Sequence, residues 1–561
     1  MNIKINRALR IIIVLIAQGV LILGNFTGYS LHIILAFAGL LIGFLLLSHQ
    51  ASKTVKLQKL ANAKLKLEER NNARKNGDWV KFEDDGAEYF DVHHPYSRDL
   101  GLFGKNSLFQ YLNETKTQYG KNLLKLLFIT EKRDKGIVLR RQAAVKEIAE
   151  NKSFCDDFRI KGILSKNISH DPQKIVDFFE NKSTLFEKPS ALFMARVLPV
   201  ITFVLLGINF IVGMNVAMQI ILGISVLSQV MIFLSLSTKT EAVLKELSKF
   251  KNSLDDFGDM AELIRNVEFL AELNQSWQAK LPQVWHLKKI SWAIKVRNFA
   301  ILDLLLNVFF LWDVHCISGL EKARAKGASE IRAWLEAIGY FEAMTSVAIL
   351  PQIHLDWTYP EFSEKLVIKA KNMGHPLIDE EIRIVNDFTL DGIAIISGSN
   401  MSGKTTFLRT IGINLVLANM GAPVCASRFF APNVDIWTCM KPPDNLKRSI
   451  STFYAELLRI KHIIANEKPM LFLIDEIFAG TNSEDRVEGA IQVLNNLYKR
   501  HNLGLITTHD LEVCRATDFA NYHFNEHYID NELRFDFKIK QGISTTRNAK
   551  FLMQMIGIEM N

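Results

Sequence analysis

Gly398-Ser-Asn-Met-Ser-Gly403-Lys404-Thr405 fits the pattern GxxxxGK[ST], with an apolar run at 393–396 before it and a helical pattern at 406–420 after it. Strand, glycine-rich loop and helix in that order form a phosphate-binding loop. Gly398 and Gly403 let the backbone curl, so the N–H groups of Gly398, Ser399, Asn400, Met401, Ser402, Gly403, Lys404, Thr405 and Thr406 are expected to face an anion at the helix start. The helix dipole adds to that attraction. Lys404 is placed to reach the β- and γ-phosphates, and the Thr405 hydroxyl to ligate Mg²⁺, so the expected ligands are a nucleoside triphosphate and Mg²⁺.

Further along, Met470-Leu-Phe-Leu-Ile-Asp475-Glu476 reads as a buried strand ending in two carboxylates. Asp475 at the strand end suits a second Mg²⁺ contact, and Glu476 is placed to orient or deprotonate an attacking water. A third apolar run, 503–507, ends in Thr508-His509-Asp510. His509 would lie beside the end of the P-loop strand and sense the γ-phosphate. From about Pro351 onward, short apolar runs alternate with helical patterns, which predicts an α/β domain with a mainly parallel sheet over 351–561.

The other residues pose a different question. The chain has 561 residues, Lys+Arg 67 against Asp+Glu 59, and 48% apolar content with a mean hydropathy of +0.09. These values exclude a disordered or fibrous chain. The whole net charge of +8 falls within residues 1–80, where eleven basic residues face three acidic ones. A nucleic-acid binder spreads its basic excess over the body of the protein; here the excess flanks apolar stretches.

Four such stretches, 8–24, 31–47, 192–212 and 216–236, come in pairs joined by short uncharged links. Each is near the ~20 residues that cross a hydrocarbon core. Lys4, Arg7 and Arg10 precede the first pair and Lys53, Lys56 and Lys59 follow it; Lys188 precedes the second pair and Lys239, Lys245 and Lys249 follow. The positive-inside rule then predicts a multi-pass membrane protein with its large polar parts in the cytoplasm. The apolar run at 301–312 is short and carries Asp303, and it reads as a core helix.

The expected organisation is therefore a transmembrane hairpin at 1–50, a basic stalk and linker at 51–98 and a helical core at 99–190. A second hairpin at 191–237, a helical lever and core at 238–350 and the α/β domain complete it. Within the helical parts, 107–119 and 136–150 show helical periodicity. Five cysteines without CxxC spacing imply neither a metal site nor a disulfide framework and fit a reduced compartment.

Taken together, Ser397-Gly-Ser-Asn-Met-Ser-Gly-Lys-Thr-Thr406, Ser449-Ile-Ser-Thr-Phe453, Leu473-Ile-Asp-Glu-Ile-Phe-Ala-Gly-Thr481 and Thr507-Thr-His509 resemble the MutS family of mismatch-repair-type ATPases. Gly374-His-Pro-Leu377, Leu102-Phe-Gly-Lys-Asn-Ser-Leu-Phe-Gln110 and Arg141-Gln142 add weaker similarity. The resemblance implies a homodimer with composite sites, in which Ser449, Ser451 and Thr452 of one protomer serve the nucleotide held by the other. It also aligns Phe537 with a residue that stacks on adenine, and sets Arg383 where the family often has an aromatic. The first hairpin and its stalk occupy the region before Asp99, so the implied protein is a membrane-anchored variant lacking the mismatch-reading domain.

Two functions are expected to compete. One is a membrane-anchored ATPase that couples hydrolysis to DNA binding, as in mismatch repair or on branched DNA. The other is an ATP-driven membrane machine or scaffold acting on protein or lipid without DNA, and the zero net charge of residues 81–561 favours it.

Overall fold

In a computed structural model of the chain, the apolar runs near 395, 472 and 505 lie side by side at the centre of one sheet. The structure describes residues 3–27, 31–129, 134–165, 172–180, 189–212, 216–265, 267, 297, 300–326, 328–440, 452–478, 483–529 and 532–544. Among them, ten strands form two sheets: β1 Glu361–Ser363, β2 Val367–Met373, β3 Asn386–Asp391, β4 Ile393–Ser397, β5 Arg428–Pro432, β6 Asp435–Cys439, β7 Met470–Ile474, β8 Leu503–Thr508, β9 Ala520–Ile529 and β10 Glu532–Gln541. The larger sheet runs β10-β9-β4-β8-β7-β6, parallel throughout except for the antiparallel β9–β10 hairpin. Strands β4, β7 and β8 are buried along their whole length, as expected where helices cover both faces of a parallel sheet. Gly504 is required there, because a Cβ would come within 1.9 Å of Phe472 Cζ on the neighbouring strand.

The smaller sheet, β1-β5-β2-β3, is mixed. It was not anticipated from the apolar runs, because β2 and β3 alternate buried and exposed positions. Between the sheets and the helical region lies the helix that follows the P-loop, Lys404–Met420, with 13 of its 17 residues buried. Gly412 in its middle meets Leu100 of the helical region on one side and Leu473 of β7 on the other; an added Cβ would lie 2.6 and 2.9 Å from them. A single hydrophobic core therefore runs from Leu100, Phe109 and Phe341 through Ile411 and Leu415 to Leu473 and Leu505.

The helices, numbered in chain order, are α1 Ile3–Thr27, α2 Leu31–Lys75, α3 Leu108–Leu112, α4 Gln118–Ile129, α5 Lys135–Glu150, α6 Lys152–Leu164, α7 Pro172–Glu180, α8 Pro189–Val212, α9 Val216–Arg265, α10 Ala300–Phe310, α11 Trp312–Lys326, α12 Ala328–Val347, α13 Ile349–Ile353, α14 Lys404–Met420, α15 Thr452–Ala465, α16 Ser483–Tyr498 and α17 Leu511–Arg515. The pattern at 107–119 is not one helix. The chain leaves α3 at Asn113, whose side-chain oxygen accepts from Thr115 N, and restarts at α4. Glu342 of α12 accepts from the backbone N–H groups of Lys116 (2.9 Å) and Thr117 (3.1 Å), supplying the N-terminal cap of α4 from a distant helix. Gly339 lets the two helices close, since a Cβ there would sit 2.8 Å from the Tyr119 backbone.

The four apolar stretches form α1, the first half of α2, α8 and the first half of α9, with most of their large apolar side chains exposed. The pairs α1–α2 and α8–α9 are antiparallel hairpins. Length and composition suit these helices to crossing a membrane, α8 falling in the shorter class. Ile331–Ile353 is also long and apolar enough, but it is 83% buried inside the protein. Within the second hairpin a polar trio is enclosed: Thr202 Oγ1 lies 2.7 Å from Ser225 Oγ and accepts from Gln229 Nε2 at 2.5 Å. Inward polar bonds of this kind join helices that have only apolar surfaces to offer otherwise.

The 301–312 run departs from the core-helix reading. Helix α10 packs on α8 and α9, with the Phe310 and Phe203 rings 5.1 Å apart, and leaves Leu302, Leu304 and Leu305 exposed. Its apolar face meets the outside of the second hairpin instead of the interior.

Both long helices continue past their apolar halves into the core. On α2, Arg70 and Arg74 reach Glu114 Oε1 at 2.8 and 2.5 Å, and Arg159 of α6 lies 3.4 Å from the same oxygen. Burial alone would raise the Glu114 pKa, but Arg159, Arg74, Arg70 and Lys116 hold it well below the ordinary carboxylate value. Because the folded value lies below the unfolded one, this stabilisation is present above the ordinary carboxylate pKa and fades as pH falls towards the folded value. Glu114→Gln would leave Arg74 buried without a counter-charge and Arg159 with only the more distant Asp156, at a cost of about 3 kcal/mol. The expected readout is a lower denaturant midpoint for the purified chain at neutral pH, with the gap to wild type narrowing in acid.

Candidate active site

The carboxyl ends of β4, β7 and β8 converge on the P-loop, as the parallel pairing of these strands requires. Gly398 and Gly403 adopt φ of 148° and 102°, and Gly403 caps α14 without any side chain of its own. The first turn of α14 thus keeps N–H groups for an incoming anion. Lys404 Nζ donates to the carbonyl oxygens of Gly398 (2.9 Å) and Ser399 (2.8 Å), so the ammonium is held across the mouth of the loop. Burial lowers its pKa, opposed by Glu476, Asp475 and Glu526.

Around this cation the acidic and hydroxyl groups form one chain of hydrogen bonds. Thr405 Oγ1 donates to Asp475 Oδ2 (2.8 Å), and Thr507 Oγ1 donates to Asp475 Oδ1 (2.6 Å). The same Thr507 oxygen accepts from Glu476 N (2.9 Å). His509 Nε2 lies 2.7 Å from Glu476 Oε1 and 3.5 Å from Lys404 Nζ. One ring nitrogen cannot donate to the carboxylate and accept from the ammonium at once, so the shorter contact is the bond and the longer one is proximity. Glu476 and Phe478 take left-handed φ of 49° and 59° just after β7, a strained turn that aims the Glu476 carboxylate at the P-loop side.

The Thr405 hydroxyl and Asp475 carboxylate fit Mg²⁺ as a donor set: two hard oxygens, already adjacent, with the remaining positions left to phosphate and water. No cluster of three His, Cys, Asp or Glu occurs among the described residues. The five cysteines are all buried and unbridged. Around the loop, Met401 is fully exposed at its tip, Ser402 is buried beneath it and Thr406 faces outward. Asn400 lies in the loop between Ser399 and Met401. The Phe537 ring covers Gly403, where a Cβ would come 3.1 Å from Phe537 Cδ1. Arg383 instead turns back to bond Ile378 O and packs against Gly374, away from the loop.

Several supporting residues carry no signal in the linear pattern. Glu526 on β9 is buried and accepts from Ser399 Oγ. Arg486 forks onto Asp510 at 2.6 and 3.0 Å, anchoring the turn that carries His509 to α16. Glu456 of α15 accepts from Phe478 N (2.7 Å). Asp99 Oδ2 accepts from Thr438 Oγ1, Met440 N and Arg459 Nη1, tying the end of β6 and α15 to the helical region. Ser449 and Ser451 lie outside the described residues, and Thr452 is the first residue of α15.

Residues 394–557 match the family profile described as MutS domain V. Among curated proteins, the chain is similar to MutS protein homolog 4 of Mus musculus, 27% identical over 322 residues, which is 54% of this chain and 30% of that protein. It is also similar to endonuclease MutS2 of Lactococcus lactis subsp. lactis, 32% identical over 214 residues, covering 36% of this chain and 27% of that protein. The DNA mismatch repair protein MutS of Aquifex pyrophilus is 31% identical over 221 residues, covering 36% of this chain and 25% of that protein. The chain thus spans between a quarter and a third of the length of these relatives.

Thr507→Val keeps the side-chain shape but removes the bonds to Asp475 and to Glu476 N. Losing one such buried bond costs about 1–3 kcal/mol, so the Mg²⁺ concentration for half-maximal nucleotide turnover is expected to rise about tenfold. A magnesium titration of the variant against wild type measures this.

Proposed function

We propose that the chain, whose residues 394–557 match MutS domain V, is a membrane-anchored, Mg²⁺-dependent ATPase of the MutS family working as a homodimer with composite sites. The observation that carries the reading is the continuous bonding of Thr405, Asp475, Thr507, Glu476 and His509 at the ends of three adjacent strands, with Lys404 held by the P-loop carbonyls beside them. The amides at 398–406 bind the phosphates, and Lys404 exchanges the Gly398 and Ser399 carbonyls for β- and γ-phosphate oxygens. Mg²⁺ held by Thr405 and Asp475 supplies charge neutralisation on those oxygens. Glu476 orients the attacking water and takes its proton, with His509 fixing the carboxylate beside the γ-phosphate position. Phe537, over Gly403, offers the adenine a stacking face. Ser449, Ser451 and Thr452 complete the partner's site, a role that rests on the family resemblance.

The apolar hairpins, with basic residues on their outer flanks, favour anchoring with the ATPase domain in the cytoplasm. DNA is the partner that the names of the relatives suggest. The balanced charge of residues 81–561 favours the second reading, an ATP-driven machine or scaffold acting on protein or lipid.

Lys404→Ala is expected to lower nucleotide affinity at least about 100-fold by calorimetry with magnesium present. Glu476→Gln is expected to keep binding while turnover falls about 10²–10⁴-fold; turnover close to wild type would remove Glu476 from its role. Mixing Ser451→Ala protomers with Lys404→Ala protomers restores part of the activity if sites are shared, because one intact pair forms in the mixed dimer. DNA retention separates the two readings: a plot of log affinity on log salt with near-zero slope excludes phosphate-backbone binding.

A further inference from the structure

Helix α10 is apolar, partly exposed and too short to cross a bilayer. At 1.5 Å per residue its 11 residues extend about 16 Å, half of a ~30 Å hydrocarbon core. It ends in a 78° bend into α11, made at Leu311, which is fully buried with φ of 48°. A bulky residue held in the left-handed region persists only where its surroundings fix it. Here Leu311 and Val314 are seated against Ala195 of α8 and Ile232, Phe233 and Leu236 of α9.

Polar and apolar groups segregate sharply at this bend. Asp303 is the one charged residue of α10. Its carboxylate accepts from Asn307 Nδ2 (3.0 Å), and Asn307 Oδ1 accepts from Asp313 N (2.9 Å), so Asn307 caps the start of α11. Arg297 Nε lies 3.3 Å from Asp313 and 3.6 Å from Asp303. These groups gather on the inside of the turn, the guanidinium paired in charge with both carboxylates, while Leu302, Leu304 and Leu305 point outward beside the exposed apolar surfaces of α8 and α9. Ionisable residues in a membrane-embedded segment are paired and turned inward in this way.

We propose that α10 is a re-entrant wedge that enters the cytoplasmic leaflet beside the second hairpin, its Leu302, Leu304, Leu305 and Phe310 facing lipid acyl chains. This rests on the membrane reading of that hairpin. The occupant is lipid because the outward face continues a surface suited by length and composition to hydrocarbon, and the bend returns the chain to the core without crossing.

The test is nitroxide accessibility in the full-length chain reconstituted in phosphatidylcholine–phosphatidylglycerol vesicles. The native cysteines are buried, so labels go to Leu304→Cys, to Leu227→Cys on the exposed face of α9 and to Tyr498→Cys on the exposed face of α16. Oxygen partitions into hydrocarbon and a nickel chelate stays in water. The oxygen-to-nickel collision ratio at Leu304 is expected to match that at Leu227 and to exceed that at Tyr498 about tenfold. A water-like ratio at Leu304 with a lipid-like ratio at Leu227 overturns the wedge and leaves the anchored hairpin standing. Water-like ratios at both overturn the membrane reading and the wedge with it. Protection of Leu304 from both colliders overturns the wedge too, since it means that protein, such as a second copy, covers α10.

Discussion

Helix α14 serves two masters, and most of the architecture follows from that constraint. Its first turn carries the P-loop lysine and threonine, while its remaining turns are buried between the central sheet and the helical region. Gly412 lets it touch Leu100 and Leu473 at once, and Asn414 binds Gly374 O and Cys425 N from the middle of the helix. At the far end Gly421 closes against Arg141 and Gln142 of α5. Close-packed interiors transmit small displacements, so a shift of its first turn is felt where α14 meets the helical core.

The candidate site at the strand ends has the same economy. Asp475 is held by two threonine hydroxyls from different elements, and Glu476 by a backbone bond and a histidine. Each carboxylate is oriented before any ligand arrives, which is the condition for electrostatic preorganisation. Asp99, from the helical region, and Glu456, from α15, connect the strands and helix flanking 441–451 to the same framework.

At the other end of the chain, α2 and α9 are single helices that start among exposed apolar residues and finish inside the core. The Glu114 cluster grips the first, and Leu254, Phe257 and Met260 bury the second. Helices of 45 and 50 residues thus run unbroken from the apolar hairpins into the core.

Much of this was legible in the sequence for local reasons. A glycine-rich loop between a strand and a helix needs only its own residue order, and largely apolar runs of four or five residues mark strands covered on both faces; β4, β7 and β8 fall where those runs stand. The apolar pairs likewise declare themselves by length and flanking charge. What the sequence left out depends on partners distant along the chain. Strands β2 and β3 alternate polar and apolar residues and look like loop until their neighbours are known. The restart after α3 depends on Glu342 of α12 capping α4, and Glu526 reaches Ser399 only because β9 lies beside β4. The 301–312 run shows the limit most clearly. Hydropathy marks it as apolar, but whether an apolar face meets the core or the outside of a hairpin is a property of packing, which tertiary structure alone decides.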